Sequence, residues 1–175
     1  ILTPGFIDQH IHLIGAGGKD GFKSMTPEVD FHDLISCGTT TAVGLLGTDG
    51  VGRSLPALYA KTKSLTSQGL NSYMYSGYYG IDSPTLTGSV KTDMMFVDNI
   101  LGCKIAINDF RSSYPTVVEL LRKLNEVKIG GFLGGKKGVL HIHLGGLSDK
   151  LDKLFKIVEK HEFPIEHISP THVAR

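Results

Sequence analysis

His10 and His12 stand one residue apart at the end of a short apolar stretch, Gly5 to Leu13. Side chains of a strand alternate faces, so positions i and i+2 point the same way. Two imidazoles would then project together from a strand's C-terminal end, where α/β active sites form. That is the start of a metal site, and two solvated or core histidines would read the same. Lys104 is the second chemically loaded position, inside the apolar run Cys103-Lys104-Ile105-Ala106-Ile107. Burying an unpaired ammonium is costly, so this lysine needs a carboxylate partner, a lowered pKa or chemical modification. A structural lysine paired inside the sheet is the plain alternative. His143 closes one further apolar run and His172 another. His141 shares a face with His143 and would sit one layer deeper, in a structural or supporting role. His32, His161 and His167 fall within or beside helices or at a strand's start, which gives them surface or local roles. A histidine-rich set with oxygen donors suits Zn²⁺ best among common metals. The distant Cys37 and Cys103 make no thiolate site.

The elements that would position these groups alternate. Gly5–Leu13 reads as a strand, followed by a flexible loop at Gly15, Gly17 and Gly18. Pro27 is a good first-turn residue for a helix running to Gly38. Thr39–Leu46 reads as a buried strand, and Ser54 as the cap of a helix through Leu58 and Leu65. Strands follow at Ser72–Tyr79, Cys103–Ile107 and Gly138–Leu144, with Pro164–Ser169 leading into a last one. Helices are expected at Lys91–Ile100, from Pro115 onward, and at Ser148–Glu159. About six β/α units emerge, with no hairpin signal between them. Such alternation implies parallel strands joined by right-handed crossovers. A doubly wound sheet and a (β/α)₈ barrel both satisfy it. A barrel typically needs ~250 residues, and six units are two short. In a barrel, the strand ends carrying the histidines and the lysine would converge on one mouth.

The 175 residues suit one ordinary domain, 1–175, with a core that needs no staples. Hydrophobic residues make up 41% and charged residues 20%, a globular composition that argues against disorder. Lys+Arg number 18 against 17 Asp+Glu, so the basic excess usual for a nucleic-acid binder is missing. No apolar run approaches the ~18 residues of a membrane span, and no signal peptide is visible. Two cysteines without a CxxC argue against a disulfide scaffold and fit a reducing cytoplasm. The chain opens Ile1-Leu2-Thr3-Pro4 without an initiator methionine and closes on Pro170-Thr171-His172-Val173-Ala174-Arg175. The expectation is a piece of a longer protein.

Pro4-Gly5-Phe6-Ile7-Asp8-Gln9-His10-Ile11-His12 resembles the PGFIDxHxH signature of the amidohydrolase superfamily. Within it, the chain is most similar to the isoaspartyl (β-aspartyl) dipeptidases. The stretches that carry this are Val43–Asp49, Thr87–Val90, Gly130–Lys136 and Pro170–Val173, so the resemblance covers essentially the whole chain. It implies an incomplete (β/α)₈ TIM-type barrel lacking its last β/α units and the β-sandwich that flanks the barrel. It also implies two Zn²⁺ ions per site. His10 and His12 match the pair that binds one zinc. Lys104 matches the lysine whose carbamate bridges both, and His143 and His172 match the ligands of the second. Tyr79 matches a tyrosine that polarises the scissile carbonyl. Arg111 and Arg175 match arginines that hold substrate carboxylates, and Gly17 and Thr48 match substrate-contacting loop positions.

The activity so implied is hydrolysis of the β-aspartyl amide of a small dipeptide by a hydroxide bridging the two zincs, in a cytoplasmic and homo-oligomeric parent protein. Lys19 stands where the family has a glutamate that receives the substrate's ammonium, and Phe110 occupies a usually polar position. Lys19 supports an alternative, a sister amidohydrolase acting on cyclic amides of the dihydroorotase or hydantoinase type. The family's eighth-strand aspartate, a zinc ligand and general acid/base, would lie beyond Arg175. The expectation is therefore that this chain alone is inactive, and a catalytically incomplete metal-binding fragment is the third reading.

Overall fold

Strand and helix alternate along the chain, and most helices begin at a residue able to cap them. The computed structural model describes residues 2–174, which fall in two compact units, one up to Tyr75 and one from Ser76 onward.

The first unit holds β1 (Phe6–Ile11), β2 (Lys19–Phe22), α1 (Phe31–Ser36), β3 (Thr39–Gly44), a 3₁₀ turn (Thr48–Val51), α2 (Leu55–Ser67) and most of β4 (Asn71–Gly77). β1 pairs parallel with β3, and β3 with β4. Ser54 caps α2 as expected, accepting from the Ala57 amide at 3.2 Å. The helix buries Leu55, Leu58, Thr62 and Leu65 against the sheet side of this unit's core, which includes Leu13, Leu45, Leu46 and Met74. The helix expected from Pro27 starts only at Phe31. The Val29 amide donates to the Leu13 carbonyl and holds that segment out of the helix, and Asp30 takes the cap, accepting from the His32 amide at 2.8 Å. β2 is short and exposed, and a Gly18–Gly21 antiparallel bridge folds its loop back on itself.

The second unit continues from β4 with α3 (Val90–Phe96), β5 (Ile100–Ile107), α4 (Val117–Leu133), β6 (Val139–Leu144), α5 (Asp152–His161), a 3₁₀ turn (Ile165–His167) and β7 (Ile168–Thr171). β5 pairs parallel with β6, placing Lys104 opposite His141 and Ala106 opposite His143. β6 pairs parallel with β7, placing His141 opposite Ser169 and His143 opposite Thr171. α3 stops before Ile100, which instead opens β5. Val97 turns extended, and the Lys136 ammonium takes the Val97 and Ile100 carbonyls at 2.8 and 2.9 Å in place of helical amides. α5 begins at Asp152 rather than Ser148, whose hydroxyl bonds Asp149 instead of capping. His167 is buried, not on the surface, because its Nδ1 meets the Gly138 carbonyl at 2.7 Å.

Six parallel strands, each but the last followed by a helix, make this an α/β fold of the incomplete (β/α)₈-barrel type. Both cysteines are free thiols, Cys37 exposed and Cys103 buried. Among the described residues, no helix is long and apolar enough to cross a membrane.

Candidate functional site

In the second unit, chemistry-bearing side chains gather where the parallel strands end. His143 projects near the end of β6 and is 4% exposed. Its Nδ1 lies 2.9 Å from the Tyr79 hydroxyl, and the two rings are 4.6 Å apart. Its Nε2 lies 3.0 Å from Asp109 Oδ2. Asp109 sits two residues past β5 and is gripped by Arg111, whose Nε donates to Oδ1 at 2.8 Å and whose Nη2 donates to Oδ2 at 2.7 Å. The Arg111 guanidinium also covers the Tyr79 ring at 5.1 Å and the exposed Phe110 ring at 5.4 Å. His172 follows β7 with a positive φ of 64°, its ring centre 4.7 Å from that of His143. Lys104, fully buried in β5, places its Nζ 5.7 Å from the centre of the Tyr79 ring.

Burial sets the protonation of this cluster. It pushes the Lys104 amine down to about 7, so a large share is uncharged at neutral pH. Burial, with the nearby Lys104 charge, also lowers His143 to about 4 and His141 to about 3, leaving both imidazoles neutral. The Arg111 fork holds the Asp109 carboxyl well below the usual carboxylate range, so it is ionised. Neutral imidazoles and a deprotonatable buried amine are the forms in which histidine and lysine take part in metal sites.

The backbone around Asp109 is tightly specified. Asn108 adopts a positive φ of 52°, and its side-chain amide donates to the Lys150 carbonyl. The amides of Gly145 and Leu147 bond the Ile107 and Asn108 carbonyls, both at 3.0 Å. Gly145 permits this approach, since a β-carbon there would collide with Asn108 and Asp109.

Tyr79 is placed from behind by a buried hub. Asp93, on α3, accepts from the Ser76 hydroxyl at 2.5 Å, from the Leu86 and Thr87 amides at 2.9 and 2.8 Å, and from the Thr87 hydroxyl at 2.8 Å. The Tyr79 carbonyl accepts from the Ala106 amide at 3.1 Å. The segment from β4 to α3 is thus fastened on both sides of the tyrosine.

In the first unit, the rings of His10 and His12 meet edge to face at 5.5 Å, as the one-residue spacing anticipates. The Asp8 carboxylate accepts from the His10 amide at 2.9 Å. Gly17 has a φ of 148° and packs so closely on Ser24 and Met25 that a side chain would not fit. Thr48 starts the 3₁₀ turn, and Lys19 and Asp20 are exposed on β2. Arg175 lies outside the described residues.

The structure therefore brings Tyr79, Lys104, Arg111, His143 and His172 together within one unit, and His10 beside His12 within the other. Among the described residues, no three His, Cys, Asp or Glu side chains form a ready-made metal cluster. Asp109 and Asp93 were not among the expected site residues. An acidic residue two positions before Arg111, directly after a strand, was the available signal for Asp109.

No family model matches the chain. Solved structures do; two of them each show 48% identity and a TM-score of 0.94 over 97% of this chain and 46% of theirs. Both are of the beta-aspartyl dipeptidase of the thermophilic, keratin-degrading Fervidobacterium islandicum AW-1. One of them is a complex with the β-Asp-Leu dipeptide. By fold and sequence, the chain belongs among the (β/α)-barrel dipeptidases. More particularly, it is a relative of the beta-aspartyl dipeptidases, and it spans a little under half the length of these two.

Proposed function

We propose that the longer protein of which this chain spans a part is a zinc-dependent hydrolase that cleaves the β-aspartyl amide of small dipeptides, the chain alone being inactive. The observation that carries the reading is the buried Lys104 amine beside Tyr79 and His143, in a chain 48% identical to a protein solved with β-Asp-Leu bound. The neutral His143 and the low-pKa Lys104 fit a metal site. His10, His12, His143 and His172 would hold two zinc ions, with Lys104 contributing once its amine has taken up CO₂ and released a proton as the carbamate. Zinc, when bound, would supply Lewis acidity and acidify the attacking water.

The chain's own residues have separate tasks. Tyr79 would donate its hydroxyl to the oxygen on which charge develops, a contribution realised in the transition state. Arg111 uses Nε and Nη2 on Asp109, so Nη1 is the edge it would turn to a substrate carboxylate. Gly17 and Thr48 would contact the substrate from the first unit's loops, and Arg175 would hold a second carboxylate. The buried walls around Lys104 and His143 exclude water, which strengthens each of these interactions.

Lys19 supports a second reading. A cation on exposed β2 would repel an ammonium, which favours a cyclic amide lacking one. The full-length protein and the 175-residue chain, each supplied with zinc chloride and bicarbonate, would be assayed on β-Asp-Leu, α-Asp-Leu, dihydroorotate and hydantoin. The proposal expects the full-length protein to cleave β-Asp-Leu alone, with Tyr79→Phe lowering its kcat by about 10²–10³-fold, and the 175-residue chain to turn over β-Asp-Leu negligibly. Ring opening of a cyclic amide with β-Asp-Leu untouched would replace it with the second reading.

A further inference from the structure

We propose that Asp109 is a positioning residue that fixes the tautomer of His143, making Nδ1 the nitrogen that offers its lone pair. The inference deepens the metal-dependent reading above and rests on it for its consequence, though the tautomer itself belongs to the protein without metal.

The argument is one of donors and acceptors. Both Asp109 oxygens accept from the Arg111 fork, at 2.8 and 2.7 Å, and an ionised carboxylate has no proton to give. His143 Nε2 lies 3.0 Å from one of those oxygens. A lone pair there would face another lone pair, so Nε2 must carry the hydrogen and donate it to Asp109. In a neutral imidazole the other nitrogen is then an acceptor. That nitrogen, Nδ1, faces the Tyr79 hydroxyl at 2.9 Å, and the hydroxyl proton has an acceptor waiting.

The opposite tautomer has two contacts in its favour, since Arg111 Nη2 at 3.5 Å and the Tyr79 hydroxyl at 3.4 Å could each donate to His143 Nε2. Nη2 has a second hydrogen beyond the one it gives Asp109 Oδ2 at 2.7 Å, but both rival contacts are longer than the 3.0 Å from Nε2 to Asp109 and the 2.9 Å from the Tyr79 hydroxyl to Nδ1. The shorter distances decide for Nε2–H.

Two consequences follow. Nδ1 is the only imidazole nitrogen of His143 left to bind a metal, so the carboxylate–imidazole pair orients a ligand in the way outer carboxylates do at zinc sites. The Tyr79 hydroxyl holds that same lone pair, so a metal must displace it. The displaced hydroxyl is then released for the substrate carbonyl. The order of Asp109, His143 and Tyr79 thus links ligand geometry to the readiness of the oxyanion donor.

The test is made on purified protein in two measurements. Long-range ¹H–¹⁵N spectra of metal-free protein, with His143 assigned by its loss in His143→Gln, should show hydrogen on Nε2. Asp109→Ala should give a tautomer mixture, and Asp109→Glu should restore the wild-type pattern at least in part. Zinc affinity, measured by chelator competition, should fall by about 10–100-fold in Asp109→Ala. Circular dichroism would confirm that each variant folds, and Asp109→Asn serves if the alanine variant does not. Hydrogen on Nδ1 in the wild type would overturn the proposal, as would unchanged zinc affinity in a folded Asp109 variant. A protein that shows Nε2–H but hydrolyses no β-Asp-Leu would leave Asp109's role standing and count against the proposed substrate instead.

Discussion

Asp49 and Asp109 are both buried carboxylates neutralised by an arginine a few residues further along the chain. What the remaining atoms of each pair face separates them. Arg53 meets Asp49 through Nε alone, at 2.6 Å, and spends its other nitrogens on the backbone. It donates to the carbonyls of Ile14, Ala16 and Thr26, stapling the loop between β1 and α1. Arg111 instead forks both oxygens of Asp109, and the carboxylate turns one of them on to an imidazole. In the first pair the arginine is the hub and the product is a fixed loop. In the second the carboxylate is the hub and the product is a fixed tautomer. The same ion-pair chemistry serves architecture in one place and reactivity in the other.

The largest effect expected from this contrast is catalytic. Arg111→Ala should lower kcat/KM for β-Asp-Leu by about 10²–10³-fold, the scale of truncating a hydrogen-bonded charge pair. Arg111→Lys should recover little, since an ammonium cannot fork a carboxylate. Steady-state kinetics checks both, and activity within tenfold of wild type would place Arg111 with the architectural arginines.

Arg53→Ala should act on stability instead. Loss of the Asp49 partner and of the loop staple should cost about 3 kcal/mol in urea unfolding. Amide exchange should accelerate across residues 14–26 while the second unit's amides stay protected. Faster exchange spread evenly over the protein would mean that Arg53 supports more than its loop.

A carboxylate bound by a helix cap instead of an arginine fork gives the small end of the scale. Glu119 accepts from the Thr116 amide and hydroxyl, both at 2.7 Å, in the capping box of α4. These bonds, the amide first, hold its carboxyl below 4.5, so its contribution is present above that pH and fades as acid protonates it. Glu119→Ala should therefore destabilise slightly near about pH 7 and less near about pH 3. Urea titrations at the two values check the sign.

Local rules made much of the fold legible. Apolar runs located β3, β5 and β6, and Ser54 marked the start of α2. Boundaries failed where distant groups took over the backbone. Leu13 keeps Val29 out of a helix, and Val97, its carbonyl held by Lys136, turns extended and ends α3. Neither partner is a neighbour in sequence, so no local pattern could reveal them. The site was readable to a similar depth. Strand-end histidines and a lysine in an apolar strand pointed to Lys104 and His143. Asp109 stood out only as an acid directly after a strand and two residues before Arg111, with no sign of its imidazole partner, and Asp93 escaped because an aspartate in a helix carries no sign of what it will face. Their importance comes from register and burial, which only the folded chain supplies.

Gly145 gives the site a dependence that an inventory of functional groups would omit. It has no side chain to contribute, yet the loop bearing Asp109 occupies the volume its β-carbon would need. In a scan of every substitution, position 145 should therefore resemble a catalytic position, intolerant even of alanine, although it touches no substrate. Variation there would register as lost chemistry in a protein that still folds, and a hydrogen atom would prove as selective as a charge.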